Sequence, residues 1–412
     1  ESLTDSPGVM ARDWEERTRQ YWAKWARSLA IPFEWQDEVI RAAITLKLCV
    51  FEETGGIVAA LTTSIPEHEG SSRNWDYRFC WIRDAYFTVT ALNRLSGMGT
   101  LEHYMRWVRN IVAHSKGGHI QPVYGIGLEA DLSEDLAPNL PGFRDSGPVR
   151  RGNQAAEHVQ HDVYGQVVLG VSQSFFDRRL LAQPGIAEFE QLEPVGERAF
   201  AVYDTPDAGI WEFRTIAHVH TSSAIMCWAA CDRLSRIAER LGLNNREAYW
   251  RERADIIHET IMEKAWNEDV KAFTAAFGGT DLDASVLLMA EIGFLPASDP
   301  RYVSTVEAVD RDLRMGDHVY RYKVEDDFGK PKTAFTACTF WFIDALYRVG
   351  RVEEARNMFE AVLASRNHLG LLSEDVDPET NELWGNFPQT YCMVGIINSA
   401  ALLSKPWAAV TG

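Results

Sequence analysis

The chain has no paired cysteines at metal or redox spacing. Its six, Cys49, Cys80, Cys227, Cys231, Cys338 and Cys392, lie scattered in apolar or helical stretches. That excludes a CxxC site and reads as reduced core thiols in a cytoplasmic protein. Positive charge is also scarce: 41 Lys and Arg stand against 59 Asp and Glu, a net charge of -18. Nucleic acid and anionic membrane surfaces both need a basic face, so neither is an expected partner. No apolar run approaches the roughly 18 residues of a membrane span, and no signal peptide is visible. The first residue is Glu1 rather than Met, which leaves room for a removed or omitted N-terminal part. Aromatic residues, by contrast, are plentiful, with 14 Trp and 13 Tyr. Sugar rings offer C–H faces that stack on such planes, so carbohydrate is a natural ligand class.

Strand-type alternation is nearly absent, and helical periodicity runs almost throughout. An aromatic helix is expected at about 10–29, with Trp14, Tyr21, Trp22, Trp25 and Leu29 on one stripe, in a leading segment 1–36. Twelve further helices are expected at 37–52, 82–98, 101–115, 161–177, 187–205, 217–241, 243–264, 280–292, 299–314, 333–349, 351–365 and 388–404. Gly242 stops one of them and Pro388 opens the last. Long and short connections alternate along this list, and short ones make antiparallel hairpins. Six hairpins in a ring give an inner and an outer layer over 37–405, with 406–412 as a tail. "TAFTACTFWFIDALYRVG" is apolar nearly all round, as an inner helix must be, and "RVEEARNMFEAVLAS" has the charged face of an outer one. All the long loops then emerge at one rim, where chemistry is expected.

Four constellations fall on that rim. "NWDYRFCWIRDAY" ends in the pair Arg83–Asp84, which offers donors and charged acceptors for the hydroxyls of one sugar; a helix cap with a salt bridge would read the same. "DAGIWEFRT" sets Glu212 between Trp211 and Phe213, either as a surface turn or as an acid desolvated by rings so that it holds its proton. "HVYRYKVEDD" places Arg321 among tyrosines and acids, and "GLLSEDVDPETNELWGNFPQTY" supplies Glu374. Two carboxyls on separate loops of one rim suit glycosidic hydrolysis, which needs one protonated and one ionised acid. An aromatic setting for Glu212 and a more polar one for Glu374 would push their pKa values apart. "EHVQHD" (Glu157, His158, His161, Asp162) lacks an evident third metal ligand, so no metal or other cofactor is expected. Asn153 and Asp162 read as structural or sugar-binding.

Taken together, "NWDYRFCWIRDA", "GIWEFR", "YRY", "CTFWFIDAL" and "LLSEDVDPET…GNFPQTY" resemble glycoside hydrolase family 15, the glucoamylase-like family, across most of its catalytic domain. The resemblance implies an all-α (α/α)6 barrel and hydrolysis with inversion, releasing β-glucose from the non-reducing end of α-linked glucosides. It implies Glu212 as general acid and Glu374 as general base, about 6.5–9.5 Å apart. It further implies Arg83 and Asp84 on the terminal sugar, Tyr77 and Trp81 walling its pocket, Arg321 near the cleavage point and Trp211 flanking the acid. Fungal glucoamylases carry a second acid directly after the first, where this chain has Phe213 and then Arg214. That departure weakens starch and raises trehalose, isomaltose-type linkages or dextran as substrates. Longer bacterial members place a β-sandwich before the barrel, and the helix at 10–29 looks like the linker that would follow it. A sugar-binding protein on the same barrel is the reading from another class.

Overall fold

In the computed structural model, residues 6–115 and 118–411 are described, and the barrel is built by the expected hairpins. The leading helix α1 (Pro7–Ala26) precedes α2 (Gln36–Leu48). Four hairpins then pair α3 (Ile82–Arg94) with α4 (Met98–His114), α5 (Asp162–Ser172) with α6 (Ile186–Val202), α7 (Thr221–Arg240) with α8 (Asn244–Lys264), and the 3-10 segment Ala284–Leu288, which runs on into the short α9 (Met289–Ile292), with α10 (Pro300–Asp312). A fifth joins α11 (Thr336–Arg348) to α12 (Val352–Ala364). The last inner helix, α13 (Thr390–Leu403), packs against α2, so the ring is completed by elements from opposite ends of the chain. The inner layer runs α3, α5, α7, the 284–292 segment, α11, α13 and back to α3. This is the (α/α)6 barrel.

Burial explains the layers. Every residue of α11 from Thr336 to Leu346 is buried, and so is every residue of α13 from Thr390 to Ala400. On outer α12 only Ala355, Met358, Phe359, Val362 and Leu363 are buried, the one-face spacing of a helix that turns its other side to water. Inner helices also approach closely. A Cβ on Gly165 of α5 would lie 2.1 Å from the Met226 carbonyl oxygen of α7, so only glycine fits that crossing.

Three-residue turns at 95–97, 241–243 and 349–351 close one end of the barrel. The long segments 49–81, 118–161, 203–220, 265–283, 313–335 and 365–389 cover the other. These carry short antiparallel ladders absent from a purely helical expectation. Several helices are shorter than expected at that end. The residues before Thr221 are extended, with bridges from Asp207 to His218 and from His220 to Ala276. Pro388 does not open α13; it follows a cis peptide, and the helix begins at Thr390. The expected helix 280–292 is a 3-10 turn over Ala284–Leu288 followed by one turn of α-helix. Asp283 causes this: its side chain accepts from the Ser285 N–H, and its carbonyl accepts from the Val286 N–H, fixing the tighter i→i+3 geometry.

Helix α1 starts earlier than expected, with Pro7 at its first turn, and none of its residues is buried. Trp14 is 60% exposed and Tyr21 48%. Only its C-terminal end touches the barrel, where Lys47 lies over the rings of Tyr21 and Trp25. Among the described residues no helix is long and apolar enough to cross a membrane.

Candidate active site

Glu374 directly precedes the middle strand of a three-stranded ladder, Ala334–Phe335, Asp375–Val376 and Leu383–Trp384. Its N–H donates to the Asn386 carbonyl (3.1 Å) and its own carbonyl accepts from the Thr336 N–H (2.9 Å). Gly385, at φ +75°, lies directly over it: a Cβ there would come within 2.8 Å of the Glu374 Cβ. The backbone is therefore held from both sides. The side chain is 2% exposed. Its Oε1 accepts from the Tyr77 hydroxyl at 2.5 Å, and its Oε2 has no hydrogen-bond partner. Burial pushes the Glu374 carboxyl well above the usual range. The charges of Asp375 and Glu67 add to that, against the pull of the Tyr77 hydrogen bond and Arg321. The more polar loop expected around this acid does not leave it open: the segment folds inward and buries it beside two other carboxyls.

Glu212 is placed differently. It occupies a left-handed position, φ +64°, in a turn closed by its N–H to the Gly209 carbonyl (3.1 Å) and the Phe213 N–H to that of Ala208 (3.0 Å). The side chain is 20% exposed and faces the barrel mouth rather than open water. Its Oε1 accepts from the Trp81 indole N–H at 2.6 Å and from Arg83 Nη2 at 3.3 Å. Trp211 turns its indole N–H to Asp283 Oδ2 (2.6 Å) and packs its ring against Phe335 and Trp341.

Between the two glutamates, Arg83 and Asp84 begin α3. Arg83 Nη1 donates to the Ile210 carbonyl at 2.8 Å, and its Nε lies 3.4 Å from Asp84 Oδ2. Burial pushes the Asp84 carboxyl up to about 6, against the attraction of Arg83. On the opposite wall Arg321 donates to Glu67 Oε2 at 2.6 Å, and Arg73 ties Glu67 to Asp326. The eight residues singled out in the sequence, Tyr77, Trp81, Arg83, Asp84, Trp211, Glu212, Arg321 and Glu374, all line one cavity.

Buried polar atoms normally find partners. Here several lining residues keep one without: Arg321 Nε, Glu374 Oε2, the Tyr391 hydroxyl and both ring nitrogens of His158. A cavity edged by unused donors and acceptors, with Trp and Tyr faces between them, suits a ligand dense in hydroxyls.

Glu67, Arg73, Asp326 and Tyr391 carry the walls and were not singled out as site residues in the sequence. Glu67 and Arg73 sit in "IPEHEGSSRNW", whose only signal is its adjacency to the motif at 74–86. Of the "EHVQHD" residues, His158 lines the cavity, while the His161 N–H donates to Asp207 and Asp162 is bonded by Gln166. Asn153 caps a 3-10 turn and holds the Asp76 carbonyl. Among the described residues no three of His, Cys, Asp or Glu cluster at metal-binding distance.

Comparison with known proteins agrees with this architecture. The chain is 32% identical over 394 residues to a trehalase of Thermoplasma volcanium, covering 95% of this chain and 62% of that protein. It is 35% identical to a trehalase of Mycobacterium tuberculosis, covering 94% and 58%. The chain thus spans about three fifths of the length of these relatives. In fold it is similar to a bacterial glucoamylase complexed with acarbose, at 16% identity and TM-score 0.73, covering 96% of this chain and 60% of that one. It is likewise similar to a wild-type glycosidase, at 16% identity and TM-score 0.69, covering 89% and 96%. The family model for glycosyl hydrolases family 15 matches residues 35–401, nearly the whole barrel, and the chain belongs to that family.

Proposed function

We propose that this chain hydrolyses a short α-glucoside from its non-reducing end with inversion, and that trehalose is the substrate it favours. The observation that carries the reaction is that Glu212 and Glu374 face one cavity from separate loops, each with one carboxyl oxygen held by an aromatic donor. The curated relatives' name, trehalase, supports the substrate. In this reading Glu212 gives its proton to the leaving oxygen as the C1–O bond breaks. Glu374 takes a proton from water as the water oxygen bonds to C1 from the other face. Arg83 and Asp84 grip the attacked sugar, Tyr77 and Trp81 wall its pocket, Arg321 binds hydroxyls near the cleavage point and Trp211 flanks the acid. No cofactor enters the scheme.

Raised basicity at Glu374 suits its part, since a base with a higher pKa takes a proton more readily once ionised. Residues 37–405 would act as the catalytic unit, with the helix in 1–36 as a connecting element.

Proton NMR on fresh reactions tests this directly. Inverting cleavage of trehalose yields α- and β-glucose in equal amounts at first, because the leaving sugar keeps its configuration. Only α-glucose would mean retention and end the mechanism. Faster release from maltose or isomaltose would move the substrate assignment to those linkages. Binding without turnover would favour a sugar-binding protein.

A further inference from the structure

The turn that carries Glu212 has no helix or ladder of its own, and its left-handed residue is an uphill conformation for a side chain with a Cβ. Something must over-determine it. The facing loop supplies that constraint through Asp327. Its Oδ2 accepts the Arg214 N–H at 2.6 Å, its Oδ1 accepts the Thr215 N–H at 3.0 Å, and the Thr215 hydroxyl donates to Oδ1 as well. Against the penalty of partial burial, the Thr215 hydroxyl and these two N–H groups hold the Asp327 carboxyl below its ordinary value. The next residue, Phe328, completes the grip. The Arg214 guanidinium lies 5.3 Å from its ring and 5.0 Å from that of Trp75. The facing loop thus holds the backbone just beyond Glu212, while the Arg214 side chain is shared between Phe328, Trp75 and Glu134, whose Oε2 accepts from Arg214 Nη2 at 2.9 Å.

We propose that Asp327 is a positioning residue for the general acid: by fixing the Arg214–Thr215 backbone it holds the turn that aims the Glu212 carboxyl at the leaving oxygen. This rests on the reading of Glu212 as the acid. Asp327 also lines the cavity, but its three bonds go to the Arg214–Thr215 segment, so in this proposal it acts through the turn, and an unchanged KM separates that from contact with the sugar.

The test compares two leaving groups. A disaccharide needs its leaving oxygen protonated. In α-glucosyl fluoride the C–F bond breaks and fluoride departs with the electron pair, unprotonated, while water still attacks C1 and yields its proton to Glu374. Asp327→Ala is expected to lower kcat about 100-fold on the disaccharide that the wild type cleaves fastest, with KM changed less than about 3-fold. On glucosyl fluoride the same variant should stay within about 3-fold of wild type. Thr215→Val, which removes the hydroxyl bond alone, should show the same selectivity on a scale of about 3- to 10-fold, and serves if Asp327→Ala melts before assay. Equal losses on both substrates, no loss on either, or a KM rise with kcat intact would each overturn the proposal. Wild-type enzyme inert toward every substrate would instead sink the hydrolase reading beneath it.

Discussion

Glu374 leaves a three-stranded ladder with its main chain bonded on both sides, whereas Glu212 rides a turn in which it is itself left-handed. The first carboxyl is buried to 2% exposure among other acids; the second keeps a fifth of its surface and leans on Trp81 and Arg83. Backbone therefore fixes where Glu374, the proposed base, lies, and its neighbours decide its charge. Side chains fix where Glu212, the proposed acid, lies. Substitutions around Glu374 should act mainly on pH dependence, and those around Glu212 mainly on rate.

The largest effect comes from removing either acid. Glu374→Gln and Glu212→Gln should each lower kcat at least ~100-fold, and a variant keeping more than about a tenth of wild-type kcat would end that role. Their melting behaviour should differ in a way that sharpens the contrast. A carboxyl raised in the folded state makes the fold less stable as pH climbs past its unfolded value, so at pH 7 Glu374→Gln should melt no lower than wild type.

Gly385→Ala attacks the base from above. The clash with Glu374 and the strain at φ +75° should remove roughly 1–3 kcal/mol of stability, read by denaturant titration. Unchanged stability would mean the ladder shifts freely and the backbone argument fails.

Tyr77→Phe should act on pH rather than place. The acid limb of kcat/KM for the wild type is expected above the ordinary glutamate range, since activity falls as pH drops through the raised pKa of Glu374. Loss of the Tyr77 hydrogen bond should move that limb further upward. A limb that stays put would detach Tyr77 from the base. The smallest effect is expected far from both acids: Trp14→Ala on the exposed face of α1 should leave kcat within about 2-fold.

The barrel was legible because hairpin turns and long loops alternate, and because α11 and α12 differ so plainly in their apolar faces. The fourth inner helix was misread over 280–292, since "DLDASVLLMAEIG" has apolar density enough for a helix. What overrides it is the Asp283 side chain, which also takes the Trp211 indole N–H from a loop far away in sequence. The candidate residues inside aromatic motifs, which the structure brings to one cavity, could be picked out directly. Glu67 and Arg73 could not, because their meaning depends on Arg321 and Asp326, some 250 residues later. The setting of Glu374 was misjudged for a similar reason: polar neighbours in sequence fold into a ladder that excludes water.

The bond from Tyr77 to Glu374 spans 297 residues, and the Thr390 N–H closes on the Ala59 carbonyl across a similar stretch. A chain emerging from the ribosome can form its early hairpins one by one, since their contacts are local. The pocket cannot form with them. Until the last helix docks between α11 and α3, the cavity lacks its Tyr391 wall. Refolding followed by helical signal should therefore run ahead of refolding followed by substrate turnover, making turnover a gauge of ring closure.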